Sequence, residues 1–367
     1  MTTVPSDRQS HADEPRRRAR ELGLQFGPHP SGENNAITDV AGVRVGQVTV
    51  IEGDSIRTGV TAIVPDAVDR ADGALPAGLF VGNGYGKLIG ATQLAELGEI
   101  ESPVVLTGTL SAFRAADALL TYLLRLPGNE QLISANPVVG ETNDSYLSDI
   151  RARPITEQHV LAALTRAVDG PVAEGAVGAG TGTAALGFKA GIGTASRTLT
   201  LDDRLARQRG DRGAGDADKR ATVGVLVQAN FSGVLTVRGV RIGVPGAAPP
   251  APAGNSCMIV VATDLGLDAR QLNRVARRAV FAMGRTGADF AHGSGDYAIA
   301  FGAGGGAEVP DAALDPLFAA VQDAVEEAIL NSVFMAATMT GYQGRTRYAV
   351  PLDLVTRASQ AAGVLGE

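Results

Sequence analysis

The chain has 367 residues, 45% hydrophobic and 19% charged, which is enough apolar material for one large domain or two average ones and excludes wholesale disorder. With 39 acids against 32 bases, the net charge of −7 argues against nucleic acid as the main partner, and 4% aromatics with no Trp leave no stacking platform for single strands. Cys257 is the one cysteine, so neither a disulfide framework nor a Cys-based zinc site can form, and no apolar run reaches the length of a membrane span. No apolar h-region follows the basic residues near the start, so no secretory signal is expected and the expected compartment is the cytoplasm. All the basic residues except Lys87, Lys189 and Lys219 are arginines, which reads as codon bias rather than as a binding signal. These bounds leave an enzyme or a small-molecule binder.

The first 15 residues are polar and read as a flexible tail. Ala36–Glu52 alternates apolar with small or polar residues, predicting a hairpin or two short strands, and Val60–Val64 predicts another. Gly78–Val81 is a strand feeding a Gly-rich turn, after which Lys87–Leu97 has helical spacing. Pro103–Leu106 predicts a strand and Ala112–Leu124 a helix capped by Ser111. Thr156, with His159 at the third position, starts a helix to about Val168. Val172–Gly193 is too Gly-rich for a helix and predicts strands or loops. Two segments read as linkers: Asp202–Arg220, with eleven charges in nineteen residues, and the Pro/Ala-rich Pro245–Gly254. Thr222–Gln228 and Val234–Val244 lie between them as neighbouring strands. Met258–Thr263 is a solid apolar strand, Asp268 caps a helix to about Met283, Tyr297–Phe301 is a strand, and Asp311–Met339 is the longest helix. Strands and helices cluster in blocks, which favours layered α+β over a doubly wound sheet.

Three places could carry chemistry. Gly82-Asn83-Gly84-Tyr85-Gly86 at a strand-to-helix turn could seat a phosphate, but G-x-G-x-x-G spacing is not met and Lys87 lacks the Ser or Thr of a P-loop. A tight turn with close packing explains the same glycines. Ser294 lies between glycines beside Asp296 and His292, yet His292 breaks the G-x-S-x-G elbow and a strand follows instead of a helix. Gly254-Asn255-Ser256-Cys257 joins a Pro/Ala tether to a core strand. Cleavage before Ser256 would free an α-amine able to serve as base for its own hydroxyl, without any histidine. An ordinary Asn-Ser loop remains the plain alternative at that point. Cys257, the rival nucleophile, would lack that amine and point to the opposite face.

Six segments read together resemble one family. They are Ala36–Gly46, Val139-Gly-Glu-Thr-Asn-Asp144 with Tyr146, Gly187–Arg197, Val227–Asn230, Ser256 with Ile259–Asp264, and Gly293-Ser-Gly-Asp296. In one order from about Arg16 to about Arg357, they are similar to the L-aminopeptidase/D-esterase and β-peptidyl aminopeptidase family of self-processing N-terminal-nucleophile hydrolases. The resemblance implies an α+β fold of four αββα layers. It further implies one catalytic domain, residues 16–367, cut between Asn255 and Ser256 into 1–255 and 256–367.

The resemblance makes Ser256 the nucleophile, a position where the family varies between Ser and Thr. Tyr146 and Asn230 match oxyanion donors, Ser294 and Asp296 the hydroxyl and carboxylate beside the nucleophile's amine, and Lys189 a lysine that raises nucleophilicity or stabilises charge. Glu141 or Asp144 would bind the substrate's free amine, with a structural ion pair as the other reading of these acids. The implied activity is hydrolysis of the amino-terminal amide or ester bond of small peptides and amino-acid amides. It needs no metal or organic cofactor, and the implied assembly is a homo-oligomer of processed units. Neither nucleic acid nor membrane is expected as a partner. The Asp202–Arg220 loop and the Pro/Ala stretch depart from the family pattern. The rival readings are a single-chain serine hydrolase using Ser294 with His292, and a nucleotide-binding module using the Gly82–Gly86 turn.

Overall fold

The computed structural model describes residues 15–71, 73–200, 220–244, 254–304 and 309–365. Most of the expected tail and of both linkers lies outside these residues. Two sheets built from ten strands stack face to face among the described residues. The smaller has the order β1 (Val43–Glu52), β2 (Ile56–Pro65), β5 (Val104–Gly108), β6 (Val138–Thr142). The larger runs β4 (Glu99–Ile100), β3 (Leu75–Gly84), β10 (Ser294–Gly302), β9 (Asn255–Thr263), β8 (Arg220–Asn230), β7 (Ile192–Thr200). Of the helices α1 (Ala91–Glu96), α2 (Ala112–Arg125), α3 (Glu157–Thr165), α4 (Ala269–Met283), α5 (Asp315–Phe334) and α6 (Leu352–Ala361), α2 and α3 cover the smaller sheet. α4 and α5 cover the larger. The layers are therefore α, β, β, α.

Strand β9 shows why the layers hold. Its Cys257, Ile259 and Val261 face the core shared with α4 and α5, while Met258, Val260 and Ala262 face the core between the sheets. A strand buried on both faces reads as a continuous apolar run, because no position is left for water. A third core joins the smaller sheet to α2 and α3 through residues such as Val60, Val105, Leu119 and Val160.

Several boundaries differ from the sequence reading. β1 is one strand whose hairpin partner is β2, and the Ile37–Asp39 turn precedes it. The helix expected from Lys87 begins at Ala91, after Gly90 at φ +85°. Ser111 stands at the N-cap position of α2 as expected, but its side chain makes no capping hydrogen bond, because the Thr109–Ser111 turn is already helical and runs directly into α2. Thr156 does start α3, its N–H donating to His159 Nδ1 at 3.2 Å, but the helix stops at Thr165 and Val168 bonds to Val45 in both directions. Val234–Val244 is only a short ribbon, Thr236–Val237 against Val240–Arg241, turned at Arg238 and Gly239 with positive φ. Pro316 sits in the first turn of α5, a start signal that the longer Asp311–Met339 span passed over. Asp268 caps α4 as expected, its Oδ1 accepting from the Gln271 N–H at 2.7 Å.

Glycine lets α5 approach the larger sheet. A Cβ on Gly193 in β7 would fall 1.9 Å from the Ala328 carbonyl oxygen and 2.7 Å from the Ser332 nitrogen, both backbone atoms of α5. Gly193→Ala is therefore expected to cost about 1–3 kcal/mol, since the helix or the strand must shift. Urea unfolding should show a lower midpoint at unchanged slope. An unchanged midpoint would mean the helix rides looser on the sheet than its spacing indicates.

Candidate active site

Ser256 is the second residue of β9, hydrogen-bonded into the sheet on both sides. It pairs with Asn230 of antiparallel β8 and with Gly295 of parallel β10. The two pairings bring Asn230, Ser256 and the Ser294–Asp296 segment into one row across three strands. Ser256 is 2% exposed, and its Oγ accepts a hydrogen bond from the Asn143 N–H at 3.1 Å. Asn143 follows the end of β6, so the smaller sheet reaches across the inter-sheet core to touch this hydroxyl.

The two residues before Ser256 are fixed by side-chain contacts. Gly254 has φ +85°, a conformation that favours glycine, and a Cβ there would lie 2.6 Å from Asn143 Nδ2, so a side chain would be strained and would displace the Asn143 amide. Asn230 Nδ2 donates to the Gly254 carbonyl at 3.1 Å, while Asn230 Oδ1 accepts from the Ala184 N–H at 3.1 Å. Asn255 Nδ2 donates to Ser232 Oγ at 2.7 Å.

On the next strand, Ser294 Oγ donates to Asp296 Oδ1 at 2.7 Å, and Asn83 Nδ2 donates to Asp296 Oδ2 at 3.1 Å. Burial pushes the Asp296 carboxyl above its usual range, with these two bonds pulling the other way. Lys189 is wholly buried; its Nζ donates to the carbonyls of Gly180, at 3.2 Å, and Ala190. Burial lowers its pKa to about 7. The Tyr146 ring is half-buried beneath Arg347, whose guanidinium carbon stands 3.8 Å from the ring centre.

Both acids of the Glu141–Asp144 pair are buried, but they face different ways. Glu141 Oε1 accepts from the Lys87 N–H at 2.8 Å, and Oε2 accepts from the Thr109 hydroxyl. A Cβ on Gly86 would lie 3.2 Å from Glu141 Oε1 and 3.1 Å from the Gly295 Cα, so this carboxylate borders the strand beside Ser256. Asp144 turns instead to Thr58 and Gly108, and burial raises its pKa to about 6.

Comparison with known proteins agrees along the whole frame. Residues 35–347 match the profile of Peptidase family S58. The chain is 39% identical to a β-peptidyl aminopeptidase, BapA, of Sphingosinicella xenopeptidilytica, covering 94% of this chain and 91% of that protein. The chain belongs to peptidase family S58. A solved structure of PH0078 from Pyrococcus horikoshii OT3 is 42% identical with a TM-score of 0.85, and an L-aminopeptidase D-Ala-esterase/amidase from Ochrobactrum anthropi is 34% identical with a TM-score of 0.86. Each covers 95% of this chain and 99% of its own. The latter is described as a prototype of the serine aminopeptidases with a variant of the Ntn hydrolase fold. This S58 chain is thus an aminopeptidase-type hydrolase of that fold.

In the S58 frame, Asn230, Ser256, Ser294 and Asp296 come together on three adjacent strands. Among the described residues, the Ser256 hydroxyl hydrogen-bonds to neither Tyr146, which lies beneath Arg347, nor Lys189, which bonds to the Gly180 and Ala190 carbonyls. Asn83 and the Asn143 N–H were missed as contributors. Both lay inside quoted segments, but only the fold shows which of their atoms face the site. The Gly82–Gly86 turn offers no phosphate seat: Gly86 packs against Gly295 and Tyr297, and the six-residue α1 begins only at Ala91. His292 is exposed and tilted against Tyr85, while Ser294 is committed to Asp296, so the pair is not a hydrolase dyad. No helix among the described residues is long and apolar enough to cross a membrane.

Lys189 carries a pH signature. An ordinary lysine titrates near 10.5 and this one near 7 when folded, so between those values the unfolded chain holds the extra proton. Stability from this group therefore rises with pH from about 7 upward and is lowest below 7. Lys189→Met should be most favourable relative to wild type at pH 6, and that advantage should shrink by about 1.4 kcal/mol per pH unit between 7 and 9. Denaturant unfolding of both proteins across that range is the check. Parallel curves would show that Lys189 keeps an ordinary pKa in the fold.

Proposed function

We propose that this hydrolase cleaves itself between Asn255 and Ser256 and then works as an aminopeptidase through the freed Ser256. The observation that carries this reading is the row Asn230–Ser256–Gly295, which sets a buried serine hydroxyl at the start of a core strand with a carboxylate–hydroxyl pair on the neighbouring strand. In the uncut chain Ser256 Oγ attacks the Asn255 carbonyl carbon, and its proton passes to Asp296 through Ser294 or a water. As the C–N bond breaks, that proton passes from Asp296 to the departing Ser256 nitrogen, the acyl group is left as an ester on Oγ, and water hydrolyses the ester to the Asn255 carboxylate and the free Ser256 hydroxyl. Fragments 1–255 and 256–367 result, and they stay together because β9 lies inside cores built from both.

In the mature site the Ser256 α-amine takes the hydroxyl proton as Oγ attacks a substrate carbonyl, and returns it to the departing amine. Water then releases the acyl group. Ser294 and Asp296 hold the ammonium form of the α-amine. Once Gly254 moves away, the Asn230 amide is free to donate to the oxyanion, with the Tyr146 hydroxyl as the second donor. Lys189 supports this from behind: it pairs with Ala184, whose N–H holds Asn230. Glu141 receives the substrate's free amine, since its carboxylate borders Gly295, whereas Asp144 serves packing. The substrates are small peptides, amides or esters with a free amine, and the enzyme is a cytoplasmic homo-oligomer of processed units.

Acetylating the substrate amine should therefore remove its attraction to Glu141. A charged hydrogen bond of about 1.5–3 kcal/mol corresponds to roughly 10- to 150-fold in kcat/KM. Kinetics on matched p-nitroanilides with free and acetylated amines provide the test. Equal turnover of both would make the protein an endo-acting amidase and remove Glu141 from substrate recognition.

A further inference from the structure

We propose that Ser232 and Asp289 form the acyl side-chain subsite, which selects substrates whose acyl residue carries a hydrogen-bond donor nitrogen three carbons from the scissile carbonyl carbon. The inference rests on Ser256 being the nucleophile. A fixed Ser256 hydroxyl attacks the Asn255 carbonyl in the uncut chain and a substrate carbonyl afterwards, and its place at the start of β9 is set by sheet register in both cases. The acyl residue of a substrate accordingly takes the place of Asn255 and meets what Asn255 meets.

What Asn255 meets is an acceptor. Its Nδ2 donates to Ser232 Oγ at 2.7 Å, and Ser232 Oγ in turn donates its proton to Asp289 Oδ1 at 2.7 Å. A serine hydroxyl has one proton, so with that proton committed to the carboxylate only lone pairs face the substrate. The carboxylate polarises the hydroxyl and strengthens it as an acceptor. The other half of the Asn255 amide is not used: its Oδ1 is buried and has no hydrogen-bond partner. A pure donor, such as an amine at the same reach, therefore fits this subsite at least as well as the amide does.

The pair is rigidly mounted. The Asp289 N–H donates to the Ser232 carbonyl at 3.3 Å, and the Val234 N–H to the Gly287 carbonyl at 3.1 Å. Gly287 has φ +93°, and a Cβ there would stand 1.9 Å from the Val234 carbonyl oxygen, so the two loops touch backbone to backbone. Beyond Ser232 and Asp289 a cavity of about 690 Å³ opens, walled by Leu186, Phe231, Ile242 and Val244. Its apolar wall suits the methylenes of a donor-bearing side chain. Glu141 lies on the β10 side of Ser256 and Ser232 on the β8 side, so amine and side chain of one acyl residue are received from opposite directions.

The test is steady-state kinetics on asparaginyl, leucyl and 2,4-diaminobutyryl p-nitroanilides, using processed wild-type enzyme, Ser232→Ala and Asp289→Asn. Asparagine and leucine share a shape and differ in the donor. Wild type should favour asparaginyl over leucyl by roughly 10- to 100-fold in kcat/KM, because leucine leaves the Ser232 acceptor unpaired. The diaminobutyryl substrate should match or exceed asparaginyl. In Ser232→Ala the asparaginyl-to-leucyl ratio should fall to within about threefold of unity, and Asp289→Asn should abolish any advantage of diaminobutyryl. Should Ser232→Ala remain uncleaved, the wild-type ratio and Asp289→Asn decide. Leucyl turnover equal to asparaginyl in wild type, or ratios unmoved by both substitutions, would overturn the subsite. Turnover surviving in Ser256→Ala would instead refute the nucleophile, a separate outcome.

Discussion

Strand β9 is hydrogen-bonded on both edges and buried on both faces, and nearly everything at the site follows from where it begins. Its pairing with β8 and β10 leaves Ser256 no freedom of register, because a slip of one residue would turn Cys257, Ile259 and Val261 out of one core and into the other. Asn230 and the Ser294–Asp296 pair arrive beside Ser256 by the same pairing. The row is a by-product of sheet register.

Burial then sets the chemistry of the groups in that row. Removal from water raises the Asp296 carboxyl and so makes it a better proton acceptor, while the bonds from Ser294 and Asn83 fix its orientation. The same desolvation pushes the Cys257 thiol well up, which makes the neighbouring sulfur a poor rival to the serine hydroxyl. Gly254 and Gly86 belong to the same economy of space. At each, a methyl group would crowd the Asn143 side chain or the Tyr297 ring and Gly295 Cα, so these positions leave room only for hydrogen.

The layered α+β class, the apolar strand of β9 and the capped start of α4 were legible in the sequence, because periodicity and capping chemistry are local. The short strands β4 and β6 and the end of α3 were not, since each is settled by a partner far away in the chain: Val45 ends α3, and β5 makes β6 a strand; the ribbon at Thr236–Arg241 was read too long because its turn at Arg238 and Gly239 breaks the apolar run. Candidate residues were legible through six quoted segments, but their geometry was not. Lys189 gave no sign in composition of being wholly buried against two carbonyls. Arginine content read as codon bias, yet Arg197 and Arg347 are among the most buried large side chains, one paired with Glu327 and one stacked on Tyr146. Asn83 and Asn143 act through atoms that only the fold could single out.

The central claim is that the Asn255–Ser256 bond is the one the fold is built to break. Intact mass under denaturing conditions, combined with N-terminal sequencing of the smaller species, addresses it directly. The account predicts two co-purifying fragments, the smaller spanning residues 256–367 and beginning with Ser-Cys-Met-Ile. A single 37.5 kDa chain with full aminopeptidase activity, or a small fragment starting at any other residue, would contradict it.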